Sequence, residues 1–142
     1  MAHLTVNEIL ENFELIEDWD ERYRYLIELG RGLDPIPEAS RTEQNRVRGC
    51  ASQVWLLVDP QKDAQGVEKH IFLQGDSDAH IVRGLVALIL AIFSGKTPGE
   101  ILATDPFPIF DNLGLSQHLT PQRSNGVRSM VERIRAEAHA QL

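Results

Sequence analysis

The residues best able to do chemistry lie together in Asn45-Arg46-Val47-Arg48-Gly49-Cys50-Ala51-Ser52-Gln53, just ahead of the apolar run Val54-Trp55-Leu56-Leu57-Val58. Cys50 is the only cysteine in the chain. Gly49 precedes it and the small residues Ala51 and Ser52 follow, which predicts a short loop presenting one thiol at the start of a strand. Arg46 and Arg48 lie within four residues on its N-terminal side. Positive charge near a thiol favours the thiolate, and the thiolate is the nucleophile. A blander reading stands beside this one. A free cysteine often acts as a small buried hydrophobe, and two arginines can simply be solvated charges at a strand edge. Ser52 can hydrogen-bond the thiolate or the loop backbone, or serve only the turn.

A loop of this kind needs a scaffold. Thr5-Val6-Asn7-Glu8 matches a capping box, and Val6, Ile9, Leu10, Phe13 and Ile16 follow at helical spacing, so a helix is expected over 6–17. Asp18 offers a second N-cap. Tyr23, Leu26, Ile27 and Gly30 outline a second helix with Gly30 near its stop, giving a helical hairpin. Trp19, Tyr23 and Tyr25 read as packing aromatics. Residues 31–45, with Pro35, Pro37 and Ser40, read as an irregular connection into the cysteine loop. Residues 53–58 predict a strand apolar on both faces. Asp59-Pro60 to Gly66 predicts a turn, and 67–74 a half-buried antiparallel strand. A shorter strand around Gln44–Arg48 is expected at the other edge. Gly75-Asp76-Ser77-Asp78 reads as the cap of a helix over 79–94, apolar nearly all round and therefore the core spine, with Asp76 as an N-cap candidate. Thr97-Pro98, Asp105-Pro106 and Thr120-Pro121 each pair a capping side chain with a proline, starting two short helices and one long one. The fold class expected is α+β, a small antiparallel three-stranded sheet packed against and flanked by helices.

The 142 residues suit one domain, 1–142. A net charge of -7 with no long basic run argues against nucleic acid or an anionic membrane as partner. One cysteine cannot form an internal disulfide, which fits a reducing, cytoplasmic setting. Met1-Ala2-His3-Leu4 lacks the pattern of a signal peptide. The most apolar run, 84–93, is far shorter than the roughly twenty residues of a membrane span. A metal or cluster scaffold is the main rival reading. It would need several thiolates or imidazoles, and one cysteine with His3, His70, His80, His118 and His139 scattered along the chain shows no ligand spacing. A cysteine hydrolase with His118 as base has no oxyanion-hole or orienting signature behind it.

Several separated motifs together resemble one family. Arg48-Gly49-Cys50-Ala51-Ser52-Gln53-Val54-Trp55-Leu56 is similar to the cysteine loop of the SufE family, G-C-x-S-x-V-W. Leu73-Gln74-Gly75-Asp76-Ser77-Asp78-Ala79 with Ile81-Val82-Arg83-Gly84-Leu85 resembles its Gly-Asp-Ser-Asp helix start. Leu119 to Gly126 resembles its L-x-P-x-R-x-x-G helix start. Trp19-x-x-Arg22-Tyr23 and Tyr25-Leu26-Ile27-Glu28-Leu29-Gly30 also match. One departure is Ala51, where Gln is common, and it bears on subfamily. The resemblance implies a sulfur acceptor that takes persulfide sulfur from a pyridoxal-phosphate cysteine desulfurase of the SufS type, or a close paralogue. It further implies that the chain stimulates that enzyme and relays sulfur to a downstream iron–sulfur scaffold complex. The acceptor maps onto Cys50. Arg48, Gly49, Ser52, Asp76 and Arg123 become candidates for shaping the loop or the partner surface. The chain itself is then expected to be no enzyme and to bind no metal or cofactor, the pyridoxal phosphate belonging to the partner. A homodimer is compatible with the sequence. The residues suit that chemistry: sulfur exchange needs one reachable thiol. A resolving cysteine beside it would expel the sulfur as sulfide.

Overall fold

The computed structural model describes residues 4–142. Helix α1 (Val6–Leu15) opens on the expected capping box: the Thr5 hydroxyl accepts the Glu8 N–H and the Glu8 carboxylate accepts the Thr5 N–H, each at 3.2 Å. It ends two residues earlier than the spacing predicts and buries Ile9 and Phe13. Helix α2 (Trp19–Arg31) follows after three residues. Tyr25 meets Phe13 edge-on at 5.3 Å, which ties the two helices together.

Gly30 lies near the end of α2, as its sequence predicts, and has a packing role besides. It lies inside α2 and is buried. It faces Gly84 of α3 (His80–Phe93), and a Cβ on Gly30 would come within 2.6 Å of the Gly84 backbone nitrogen. One on Gly84 would run into the Leu26 carbonyl. Two glycines therefore let α2 and α3 cross backbone against backbone. Helix α3 is the core spine. Nine of its fourteen residues are buried, among them Leu85, Val86, Leu88, Ile89 and Phe93.

Among the described residues the sheet has two strands, β1 (Val54–Lys62) and β2 (Lys69–Ser77), paired antiparallel with Val54 opposite Ser77 and Lys62 opposite Lys69. The third strand expected around Gln44–Arg48 is absent. In its place is one bridge, Arg46 opposite Trp55. The Val47 N–H donates to the Val54 carbonyl and the Leu56 N–H to the Asn45 carbonyl, both at 2.8 Å. A turn over 43–45 before it and Gly49 at φ 92° after it leave too little extended chain for more. Ile71 makes a matching bridge to Lys96 on the opposite edge.

Pro60 lies within β1, where a turn was expected. The reason is register. Its partner Ile71 directs both its N–H and its carbonyl to the other edge, toward Lys96 and Gly95. Pro60 thus occupies a position where the ladder asks for no donor. Likewise Gly75, Asp76 and Ser77 belong to β2, and the N-cap of α3 is Ala79 with no side-chain cap. Asp76 is therefore not a helix cap.

Short helices α4 (Pro98–Ala103), α5 (Phe107–Asn112) and α6 (Leu115–His118) lead to the long α7 (Pro121–Ala140). Thr97 and Thr120 cap α4 and α7 as their sequences predict, and Asp105 accepts the Phe107 N–H at 3.1 Å. Val127, Met130, Val131, Ile134 and Ala138 of α7 join Val54, Leu56, Ile71, Leu73 and α3 in one core.

Candidate functional site

Cys50 stands on a tip between two fixed points. On the N-terminal side Arg133 of α7 holds the incoming chain. Its guanidinium donates to the carbonyls of Gln44 (2.6 Å) and Arg46 (3.3 Å) and pairs with Glu137 at 3.1 Å. On the C-terminal side Gln53 is clamped to the end of β2. Its N–H donates to the Asp78 carboxylate (3.0 Å), and its carbonyl accepts from the Ser77 hydroxyl (2.7 Å) and the Asp78 N–H (3.2 Å). Between these anchors, residues 48–52 make a single hydrogen bond among the described residues: the Cys50 thiol to the Gly126 carbonyl of α7, at 3.6 Å. A segment fixed at both ends and so lightly held between them is the low-stability end of a fold.

The thiol is half-buried. It rests where α7 has no side chain, and a Cβ on Gly126 would lie 3.4 Å from Sγ. Gly49 makes the tip by taking φ 92°, and a side chain there would collide with the Ser129 hydroxyl. Burial pushes the Cys50 thiol above its ordinary value, and the nearby Arg46 offsets part of that rise. The arginine-favoured thiolate of the sequence reading is thus half right. Arg46 acts in the expected direction, but desolvation outweighs it and the docked thiol is protonated at neutral pH.

Among the described residues, no group of three or more His, Cys, Asp or Glu side chains is placed to hold a metal ion. His118 stacks on Trp19 at 4.1 Å and makes no hydrogen bond to Cys50. Among the described residues, no helix is long and apolar enough to cross a membrane.

The model of one protein family, described as SufE, an Fe-S metabolism associated domain, matches residues 7–138. The chain belongs to the SufE family. A SufE-like protein of Rhizobium meliloti (strain 1021), itself named as uncharacterized, is 50% identical over 138 residues, covering 97% of each chain. Another from Rhizobium etli, of the same description, is 52% identical over 134 residues, 94% of this chain and 89% of the relative. A solution structure of a hypothetical protein from Thermus thermophilus shares the fold, with a TM-score of 0.73 at 21% identity over 99% of this chain and 97% of that one. Membership places this SufE domain in Fe–S metabolism.

The fold brings three of the SufE-like motifs together. The Gly-Asp-Ser-Asp motif anchors the end of the cysteine loop through Ser77 and Asp78. Beneath that anchor, Asp76 is buried between two arginines. Its carboxylate takes Arg41 at 2.7 Å and Arg83 at 2.9 Å, and it accepts the Ser77 N–H at 2.8 Å. Arg41 in turn lies over the Trp55 ring at 4.7 Å. The L-x-P-x-R-x-x-G motif supplies Gly126, on which the thiol rests. Arg123 lies one turn before Gly126, and three-residue spacing puts both on one face of α7. Its backbone N–H donates to the Thr120 hydroxyl, and its guanidinium has no partner among the described residues. Arg48 is exposed and equally unpartnered, and the Ser52 hydroxyl makes no hydrogen bond among the described residues.

Sequence reasoning missed Arg41, Arg83, Ser129, Arg133 and Gly126 as parts of the site. Arg83 carried a signal, being the one charged residue well inside an otherwise apolar helix. Gly126 carried another, a glycine inside a long helix with no turn to make.

Proposed function

We propose that this SufE-family chain is a sulfur acceptor, carrying persulfide sulfur on Cys50 from a cysteine desulfurase to iron–sulfur cluster assembly and stimulating that enzyme. The observation that carries this reading is a solitary thiol on a tip fixed at both ends and held down by one weak bond. The step is an exchange with no net redox change. The Cys50 thiolate attacks the outer sulfur of the partner's persulfide. A new S–S bond forms at Cys50 as the partner's S–S bond breaks, and the electron pair leaves on the partner's cysteine as a thiolate. The docked thiol is protonated, so undocking from Gly126 into the electropositive surroundings of Arg46 and Arg48 is what generates the nucleophile. Absence of a second thiol keeps the bound sulfur from being expelled as sulfide. The pyridoxal phosphate is the partner's. This chain contributes the acceptor atom and a docking face, and needs no cofactor or metal of its own.

The test is a mass spectrum after incubation with a purified SufS-type desulfurase and cysteine. The chain gains one sulfur atom on Cys50. Cys50→Ser melts at the same temperature, gains none and no longer stimulates the desulfurase. Uptake of labelled sulfur by Cys50→Ser would refute the proposal.

A further inference from the structure

On another side of the molecule, a groove of about 330 Å³ runs along the outer edge of β2. Leu29, Leu33, Leu73, Gly75, Leu90 and Ala91 line it, and none of its residues comes from the cysteine loop or α7. Register decides which backbone groups face it. The Leu56 N–H and the Val54 carbonyl turn away from β2, toward Asn45 and Val47. Their partners Gly75 and Ser77 therefore sit at non-hydrogen-bonded positions of the ladder, as do Leu73 and Ile71 in alternation. All four aim their N–H and carbonyl groups at the outer edge.

Half of that edge is already satisfied within the chain. Ile71 exchanges bonds with Lys96 (2.8 Å) and Gly95 (2.7 Å), and the Leu73 N–H donates to the Ser94 hydroxyl at 2.9 Å. The chain then leaves the edge to begin α4 at Pro98. Among the described residues, the Leu73 carbonyl and both the N–H and carbonyl of Gly75 are left without partners. Gly75 is buried on the groove floor. Unpaired backbone groups on buried residues are rare and costly.

We infer that the open half of the β2 edge is a docking site for an extended peptide segment of a partner protein, which adds a short third strand there. Only an extended main chain offers a donor and an acceptor at the spacing of Gly75 and a further donor two residues on for Leu73. The residue opposite Gly75 points to the same side as Gly75, toward α3, so it enters the apolar groove by Leu90 and Ala91. Glu28, which also pairs with Arg31, and Asp34, which is likewise engaged within the chain, line the groove and make its rim acidic. The segment is accordingly one with an apolar residue at its centre and basic residues beside it.

The probe is the peptide acetyl-Lys-Thr-Leu-Thr-Lys-amide, titrated into the whole chain while amide NMR shifts are followed. The Gly75 amide moves downfield to saturation. A copy of the peptide N-methylated at its leucine keeps every side chain and loses the donor to the Gly75 carbonyl, and it binds about tenfold more weakly. Ala91→Phe fills the groove and abolishes binding, with the alkylation rate of Cys50 unchanged. If that variant folds poorly, the methylated peptide on the unaltered chain decides the matter. Equal binding of the two peptides, shifts confined to the cysteine loop, or a motionless Gly75 amide would each overturn the inference. So would a peptide-free chain that sediments as a dimer and becomes monomeric on Ala91→Phe, since a second copy would then be the occupant.

Discussion

Two opposing effects act on the Cys50 thiol at rest. Desolvation against α7 raises the energy of the thiolate, and Arg46 lowers it by less. The sign for reactivity follows. A raised value means less thiolate at neutral pH, so alkylation of Cys50 by iodoacetamide rises with pH through a midpoint above that of free cysteine. Arg46→Gln removes the stabilising charge and moves the midpoint further up. At fixed neutral pH it slows alkylation by about twofold, a small factor because water screens a partly exposed arginine. Rates measured from pH 6 to 10 check this. A midpoint below that of free cysteine would mean that the tip spends its time undocked. The sequence alone points to the opposite sign, because two arginines are visible in it and the carbonyl and bare backbone of Gly126 are not.

The elements that hold the tip divide by how local their causes are. The capping box at Thr5, the threonine caps followed by proline at Thr97 and Thr120, and the apolar spine α3 were legible, because each depends on neighbours within a few residues. The third strand was not. Its extent is set by the flanking turns and by Arg133, 87 residues away from Arg46. Asp76 misled for the same reason: Gly-Asp-Ser-Asp before an apolar helix has the composition of a cap, while its charge partners Arg41 and Arg83 come from two other segments. The cysteine loop was legible as a short turn ahead of a strand, but the brace under it was not. That brace has a measurable cost when broken. Asp76→Ala leaves two guanidinium groups facing one another with no carboxylate between them. The loss is on the order of 3 kcal/mol, toward the low end for a broken buried pair because both arginines reach water. The melting temperature falls by about 10 °C for a domain of this size. Melts and desulfurase stimulation measured on one sample separate the two effects. An unchanged melt with lost stimulation would place Asp76 at the partner surface instead.

At the scale of the whole molecule, a net charge of -7 is set against a few arginines near the thiol, of which Arg46 pairs with Glu43 at 3.7 Å. Arg46 and Arg48 flank the tip, and Arg123 shares the face of α7 on which the tip rests. The guanidinium groups of Arg48 and Arg123 have no partner within the described chain. An unpaired cation beside a reactive group costs the fold little and steers an acidic partner surface toward it, whereas the net charge repels that partner at long range. Salt weakens both fields, but the longer-ranged repulsion is screened first. Raising the ionic strength from about 0.01 M to about 0.1 M shortens the screening length from roughly 30 Å to roughly 10 Å. Association with the desulfurase therefore holds or quickens slightly over that range, then slows as salt approaches about 1 M, where screening reaches contact distances of roughly 3 Å. Arg48→Glu removes one of the two unpaired cations and adds a negative charge, so its association rate is lower than the parent's at low salt and rises as salt is added. Stopped-flow association rates across the series distinguish the two shapes. Identical salt curves for the parent chain and Arg48→Glu would mean that this face does not meet the enzyme.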